Sequence, residues 1–202
     1  KFVENVDVEK TKVPGSDDLV DLTFNIKERQ SGEFKVSAGW SDTDGALFDI
    51  KLQQDNFLGG GKNIGVIANK SSISSSLRFI FTDPYYSADG VSRSTNFQIS
   101  QTDVSSTSTA TYVADTFGGG VFYLAPISEN ESFGIGYDIK VTDFTTTSGS
   151  PLIVTHHITD HGNTAFGVSL TGQYIYDTRD RTVFASEGNL FDISPNMFFA
   201  AN

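Results

Sequence analysis

The feature that most constrains the fold is a two-residue alternation of apolar and polar side chains, clearest over residues 46–92. Successive side chains of a β-strand point to opposite faces, so this period predicts a sheet with one apolar face and one polar face. Glycine, Asp-Pro and Asp-Gly breaks divide the stretch into four strands joined by reversals. The first of these strands carries the pattern in the order Phe48, Asp49, Ile50, Lys51, Leu52 and Gln53.

Composition narrows the class of protein further. The 202 residues include 17 Phe, 7 Tyr and 19 Gly, and their net charge is -11. Such an acidic balance argues against nucleic-acid binding, which needs Lys and Arg to neutralise phosphates. The absence of Cys excludes disulfides and thiolate metal sites. Apolar runs are far shorter than the roughly 18 residues of a membrane helix, whereas a transmembrane β-strand needs only about 9–11 alternating residues.

The rest of the chain repeats the same design. Most of it predicts an all-β, antiparallel transmembrane β-barrel of about eight strands and part of a ninth. Two Ser/Thr-rich segments, 102–109 and 143–163, predict loops, and Pro195 is expected to cut the ninth strand short. Strands are expected near residues 32–41, 46–53, 64–69, 77–82, 91–101, 111–125, 132–142 and 165–176, and from 189 onward.

Residues 1–30 form a separate small unit. Alternation over Val20–Ile26 and an earlier strand through about Phe2–Val13 predict a hairpin, with Pro14-Gly15 suited to a type II turn. A lone two-stranded hairpin is marginal in water, so this unit is expected to belong to a larger domain.

Two runs, LQQDNFLGGGKNIG from Leu52 and FTDPYYSADGVS from Phe81, are similar to the first barrel hairpins of the BamA family. The run VDLTFNIKERQSG from Val20 resembles the end of the last periplasmic POTRA domain in that family. The resemblance covers roughly the first half of the chain. It implies that residues 1–30 end a POTRA-like domain and that residues 31–202 are the N-terminal half of an outer-membrane barrel.

The function implied by this resemblance is assembly and insertion of β-barrel proteins into the bacterial outer membrane. The implied partners are outer-membrane lipid, unfolded outer-membrane protein substrates and the other subunits of the assembly machinery, and no nucleic acid. The implied location is the outer membrane, with the N-terminal segment in the periplasm. No covalent chemistry, cofactor or metal is expected, so the protein is predicted not to be an enzyme.

Two sets of residues are candidates for function. By the resemblance, the first barrel strand forms one side of a lateral opening through which substrate strands pair. Glu33, Lys35, Ser37 and Gly39 share one face of this strand, and Phe34, Val36, Ala38 and Trp40 share the other. A second set alternates with glycine and charge and is expected to face lipid: Phe133, Ile135, Tyr137, Ile139 and Val141.

Two alternatives come from other classes of protein. A passive outer-membrane channel or secretion pore would use a similar barrel with a charged lumen. A soluble all-β binding module would pack its apolar faces against each other.

Several motifs receive a structural interpretation. His156, His157 and His161 lie in the longest predicted loop without a nearby Cys or Glu, which favours a solvated loop over a metal site. Residues 42–45 and 59–62 lack the remaining positions of a calcium loop or a phosphate loop, so both predict turns. The charge cluster 177–181 predicts a periplasmic rim beside interfacial tyrosines.

Overall fold

In the computed structural model, the described residues are 3–15, 19–29, 31–103, 111–146 and 149–201. They form twelve strands and one helix. The elements are β1 (Val3–Lys12), β2 (Val20–Glu28), β3 (Gly32–Ser41), β4 (Gly45–Phe57), β5 (Lys62–Lys70), β6 (Ser74–Asp83), β7 (Ser92–Asp103), β8 (Tyr112–Pro126), β9 (Glu131–Thr146), α1 (Leu152–His161), β10 (Thr164–Asp177), β11 (Leu190–Ile193) and β12 (Asn196–Ala201).

The chain divides into two compact units between Gly32 and Glu33. The first is an antiparallel β1–β2 hairpin in which Lys12 pairs with Val20. Gly15 takes a φ of 88°, as the third position of a type II turn requires. The predicted hairpin is therefore present, and its membership of a POTRA domain stays a prediction.

The second unit is one antiparallel sheet in which β3 to β11 follow each other in chain order. This arrangement confirms the predicted all-β barrel strands. Neighbouring strands are joined by reversals at alternate ends of the sheet. Within the described residues the sheet is not closed, because β3 lies at one edge and β11 with β12 at the other.

The ninth strand differs from the prediction. Residues on both sides of Pro195 pair with β10 in a single register, Tyr174 opposite Ile193 and Thr171 opposite Asn196. Proline cannot donate a ladder hydrogen bond, but its carbonyl still accepts one from the Gly172 N–H at 3.0 Å. Pro195 therefore divides the strand without ending it, and pairing continues to Ala201.

The expectation that residues 143–163 are irregular is also wrong. Strand β9 runs on to Thr146, and helix α1 occupies most of the remainder. The helix begins after Pro151 and is followed by Gly162, whose N–H donates to the Ile158 carbonyl at 2.9 Å. No helix in the described part of the chain is long and apolar enough to span a membrane. The other predicted loop, 102–109, falls mostly outside the described residues, although β7 extends to Asp103.

Candidate membrane surface and edge strand

Cross-strand pairing gives the sheet two distinct faces. One face, called the apolar face below, carries Phe79 opposite Phe97 and Ile139 opposite Val168. The other, called the polar face, carries Arg78 opposite Gln98 and Asp138 opposite Ser169. Most large side chains on the apolar face are exposed and the others are half-buried, and the described residues contain no buried hydrophobic core. An uncovered apolar face of this extent needs an apolar solvent, which a bilayer supplies.

The predicted lipid-facing residues lie together on β9. Phe133, Ile135, Tyr137 and Ile139 are exposed on the apolar face, with Ile135 at 59%, and Val141 is half-buried on the same face of the strand. The alternating Gly134 and Gly136 are buried on the polar face. Contact of this set with lipid stays a prediction.

The apolar face is not equally long on all strands. On β9 its outer limits are Glu131 and Asp143, about 40 Å apart at about 3.3 Å per residue. On β7 the limits are Arg93 and Gln101, about 26 Å apart by the same rise. A strand tilt of about 45° reduces these lengths to about 28 Å and 19 Å across a membrane, against about 25 Å for an ordinary barrel.

The polar face of β8 and β9 is built on glycine. The Phe122 ring covers Gly134 and Gly136, where an added Cβ would come within 2.4 Å and 2.6 Å of ring carbons. Asp138 covers Gly120 in the same way and accepts a hydrogen bond from Asn96 Nδ2 at 3.0 Å. The glycines are evident in the sequence, but their contacts could not be predicted from it, because the contacts depend on which strands pair and in which register.

The candidate edge strand β3 pairs with β4 on one side only within the described residues. Its apolar residues Phe34, Val36 and Trp40 are 66%, 61% and 75% exposed. On the opposite face the Glu33 carboxylate contacts Lys35 Nζ at 2.6 Å and Lys51 Nζ of β4 at 3.5 Å. All three charged side chains are exposed, and surface ion pairs of this kind contribute little, about 0–1 kcal/mol. The predicted division of this strand into two faces is therefore present, and the strand is held mainly by its backbone.

The charge cluster of residues 177–181 organises the turn between β10 and β11. Arg179 forms a two-pronged contact with Asp177, at 2.9 Å from Nε and 2.8 Å from Nη2. Arg181 Nε donates to Asp180 at 3.0 Å, and the Ser186 hydroxyl donates to the same carboxylate at 2.9 Å. These hydrogen bonds hold the pKa of Asp180 well below its usual range. The cluster is a structural element of the turn.

The histidines belong to α1 rather than to a loop. His156 and His161 are exposed on the helix, and the side chain of His157 lies outside the described part of the structure. No group of three potential metal ligands occurs among the described residues. Val154 and Ile158 of α1 line a cavity of about 500 Å³ together with Phe144 of β9 and Phe198 of β12.

An antiparallel sheet with one polar face and one apolar face that no core covers has the pattern of a transmembrane β-barrel of the outer-membrane type. Residues 56–201 match the Omp85 superfamily domain, so the chain belongs to the Omp85 superfamily.

Two curated relatives are outer membrane protein assembly factors called BamA. The relative from Neisseria meningitidis serogroup B is 30% identical over 165 residues, which are 81% of this chain and 21% of that protein. The relative from Buchnera aphidicola is 22% identical over 120 residues, 58% of this chain and 19% of that protein. This chain therefore spans about one fifth of the length of these relatives.

A solved structure shares the fold. The crystal structure of BamA from Haemophilus ducreyi lacking POTRA domains 1–3 superposes with a TM-score of 0.72 at 24% identity. The match covers 98% of this chain and 40% of that one. These comparisons confirm the resemblance to the BamA family.

Proposed function

We propose that this chain is the N-terminal part of the barrel subunit that assembles and inserts β-barrel proteins into the bacterial outer membrane. The observation that carries the proposal is the match of residues 56–201 to the Omp85 superfamily domain. Among the described residues, β3 also has one neighbouring strand. The similarity to BamA proteins supports the same function.

An edge strand offers unpaired backbone N–H and C=O groups to an incoming strand. Main-chain hydrogen bonds then supply affinity without demanding one substrate sequence. Gly32 and Gly39 at the two ends of β3 add no large cross-strand contact, and nothing lies closer to an added Cβ at Gly39 than Leu47 at 3.9 Å. We infer that Glu33–Trp40 is the segment that substrates meet, with Phe34, Val36, Ala38 and Trp40 toward lipid.

The short apolar band of β5–β7 supports a second part of the proposed mechanism, which is local thinning of the membrane beside the edge strand. A bilayer matches the apolar length of the protein surface beside it, at a cost of a fraction of a kcal/mol per ångström of mismatch. A band of about 19 Å would thin the membrane on the side of the sheet that leads to β3. Thinner lipid lowers the barrier to insertion of a new strand.

The remaining assignments follow from this orientation. We propose that residues 1–30 end a periplasmic POTRA-like domain, which places the turns 58–61, 84–91, 127–130 and 178–189 on the periplasmic side. Unfolded outer-membrane proteins, lipid and other assembly subunits would be the partners. The protein would act by binding and membrane deformation and would catalyse no covalent step.

The direct test is disulfide crosslinking in the natural protein. Ser37→Cys on β3 is expected to crosslink to a cysteine in the terminal strand of a stalled substrate, and the chain contains no competing Cys. Gln98→Cys on β7 is the matched control, because it lies on the same face but its strand is paired on both sides. Crosslinking at Gln98→Cys equal to that at Ser37→Cys would contradict pairing at the edge.

The polar face favours a passive channel as the second candidate function. Arg78 Nη2 donates to Gln98 Oε1 at 2.8 Å, and Asn96 bonds Asp138, so a closed barrel would have a hydrophilic lumen. Planar-bilayer conductance that persists without any assembly of substrate would favour the channel.

A further inference from the structure

One row on the apolar face differs from the rows beside it. Lys62, Asp83, Arg93 and Tyr123 follow one another across β5, β6, β7 and β8, at the strand ends nearest the 84–91 turn. One step further into the sheet the corresponding residues are Ile64, Phe81, Thr95 and Val121. The row therefore marks the boundary of the apolar band.

The acidic residue of this row, Asp83, already has partners for both carboxylate oxygens within the protein. Asp83 is 15% exposed and its Oδ2 contacts Lys62 Nζ at 3.6 Å, while its Oδ1 accepts from the Tyr85 N–H at 3.3 Å. The Nε of Arg93 is buried and has no hydrogen-bond partner among the described residues. Two cations and one anion leave this row with a net charge of +1 in a chain whose net charge is -11.

Aromatic rings hold the arginine in place. The Arg93 guanidinium lies 4.2 Å from the centroid of the Tyr86 ring, which itself lies 5.8 Å from the Tyr123 ring. A cation stacked on a ring is oriented without using its hydrogen-bond donors. Tyrosine also suits the boundary between acyl chains and water, because its ring is apolar and its hydroxyl is polar.

We propose that Arg93, assisted by Lys62, binds the phosphate group of a phospholipid whose acyl chains lie on the adjoining apolar band. A guanidinium is matched to phosphate by its planar fork of donors, and a lysine ammonium adds a point charge. The terminal Nη groups of the stacked guanidinium would then donate to the phosphate oxygens of the lipid headgroup. This inference rests on the proposed membrane placement of the apolar face.

The experiment is native mass spectrometry of the natural protein in detergent, titrated with dioleoylphosphatidylglycerol and, separately, with glycerol 3-phosphate. The wild type is expected to retain one lipid tightly. Arg93→Gln should weaken retention about tenfold, the loss of one charge-assisted interaction. Lys62→Gln should weaken it about threefold, since an exposed charge contributes less.

The matched control is Arg78→Gln, which removes an arginine from the polar face of β6 and should leave retention unchanged. Arg93→Lys keeps the charge without the planar fork of donors, so its lipid retention should fall between that of the wild type and that of Arg93→Gln.

Equal retention by wild type and Arg93→Gln, both folded by circular dichroism, would overturn the proposal. Binding of glycerol 3-phosphate as tight as that of the lipid would replace the lipid with a soluble phosphate ester and would also overturn it. Loss of lipid retention with normal substrate assembly by the variants would leave the proposed function intact, whereas absence of assembly by the wild type would refute that function alone.

Discussion

Strands β5–β7 and strands β9–β10 share one sheet and one alternation, yet they differ on both faces. The apolar band is about 26 Å long on β7 and about 40 Å on β9 at about 3.3 Å per residue. On the polar face, β5–β7 present long side chains such as Ile67, Arg78 and Gln98, whereas β9 presents Gly134 and Gly136 under an aromatic ring. The same two-residue alternation therefore gives a region with a short apolar band toward the β3 edge, called the short-banded region (β5–β7). It gives a region with a long apolar band far from that edge, called the long-banded region (β9–β10).

The largest effect is expected from placing a charge at the centre of the long band. Tyr137 lies midway between Glu131 and Asp143, so Tyr137→Arg should lower the free energy of unfolding by about 2–4 kcal/mol. Ser169→Arg is the control, because Ser169 lies on the polar face opposite Asp138. Chemical denaturation in lipid vesicles measures both. Equal losses for the two variants would show that this face does not contact lipid.

A second prediction concerns the glycines of the long-banded region. An alanine Cβ at Gly136 would lie 2.6 Å from the Phe122 ring and 2.8 Å from the Val121 carbonyl oxygen. Gly136→Ala should therefore destabilise the protein by about 1–3 kcal/mol through overpacking. At Gly172 the nearest atom is Pro195 Cγ at 3.6 Å, so Gly172→Ala should be nearly neutral. Similar melting temperatures for the two variants would mean that the ring does not rest on Gly136.

These differences explain what the sequence could predict. The strands, the two faces and most reversals follow from alternation and from turn residues, since both signals are local. The contact of Phe122 with Gly134 and Gly136 requires the register between β8 and β9, which is not a local property. The position of β3 at the edge came from the resemblance, because strand order cannot be derived from periodicity.

Helix α1 escaped prediction for a different reason. Its sequence is rich in Ile, Val and Thr, which restrict side-chain rotamers in a helix and favour strands. The Thr155 and Thr159 hydroxyls are satisfied by backbone carbonyls one turn earlier, with Thr159 Oγ1 donating to the Thr155 carbonyl at 2.8 Å. Pro151 before the helix and Gly162 after it were the usable signals.

A third, smaller effect should follow from lengthening the short band. Gln101 and Asp115 form its polar limit on β7 and β8, joined by a hydrogen bond of 2.7 Å. The double variant Gln101→Leu/Asp115→Leu adds one apolar row, about 7 Å along the strand. Its stability relative to wild type should rise in vesicles of longer-chain lipids and fall in shorter ones, by a fraction of a kcal/mol per ångström. If the stability of both proteins depended on lipid length in the same way, the length of the apolar band would not set the preferred membrane thickness.

The smallest expected effect is a pH dependence of the turn that follows the long-banded strand β10. Hydrogen bonds from Arg181 and Ser186 lower the pKa of Asp180 below its ordinary value of 3.8. A carboxylate with a lowered pKa in the folded state contributes stability that is present above the unfolded value and is lost as the pH falls through the folded one. The turn should therefore be unchanged from pH 8 to about pH 5 and should loosen only as the pH falls below about 4.

Hydrogen exchange at the amides of Ser186 and Glu187, which donate to Asp180 Oδ1 at 2.9 Å and 3.3 Å, measures this directly. Asp180→Asn keeps the shape but not the charge, so it should raise exchange at neutral pH and remove the acid transition. A transition of the same size in Asp180→Asn would assign the pH dependence to another group of the turn.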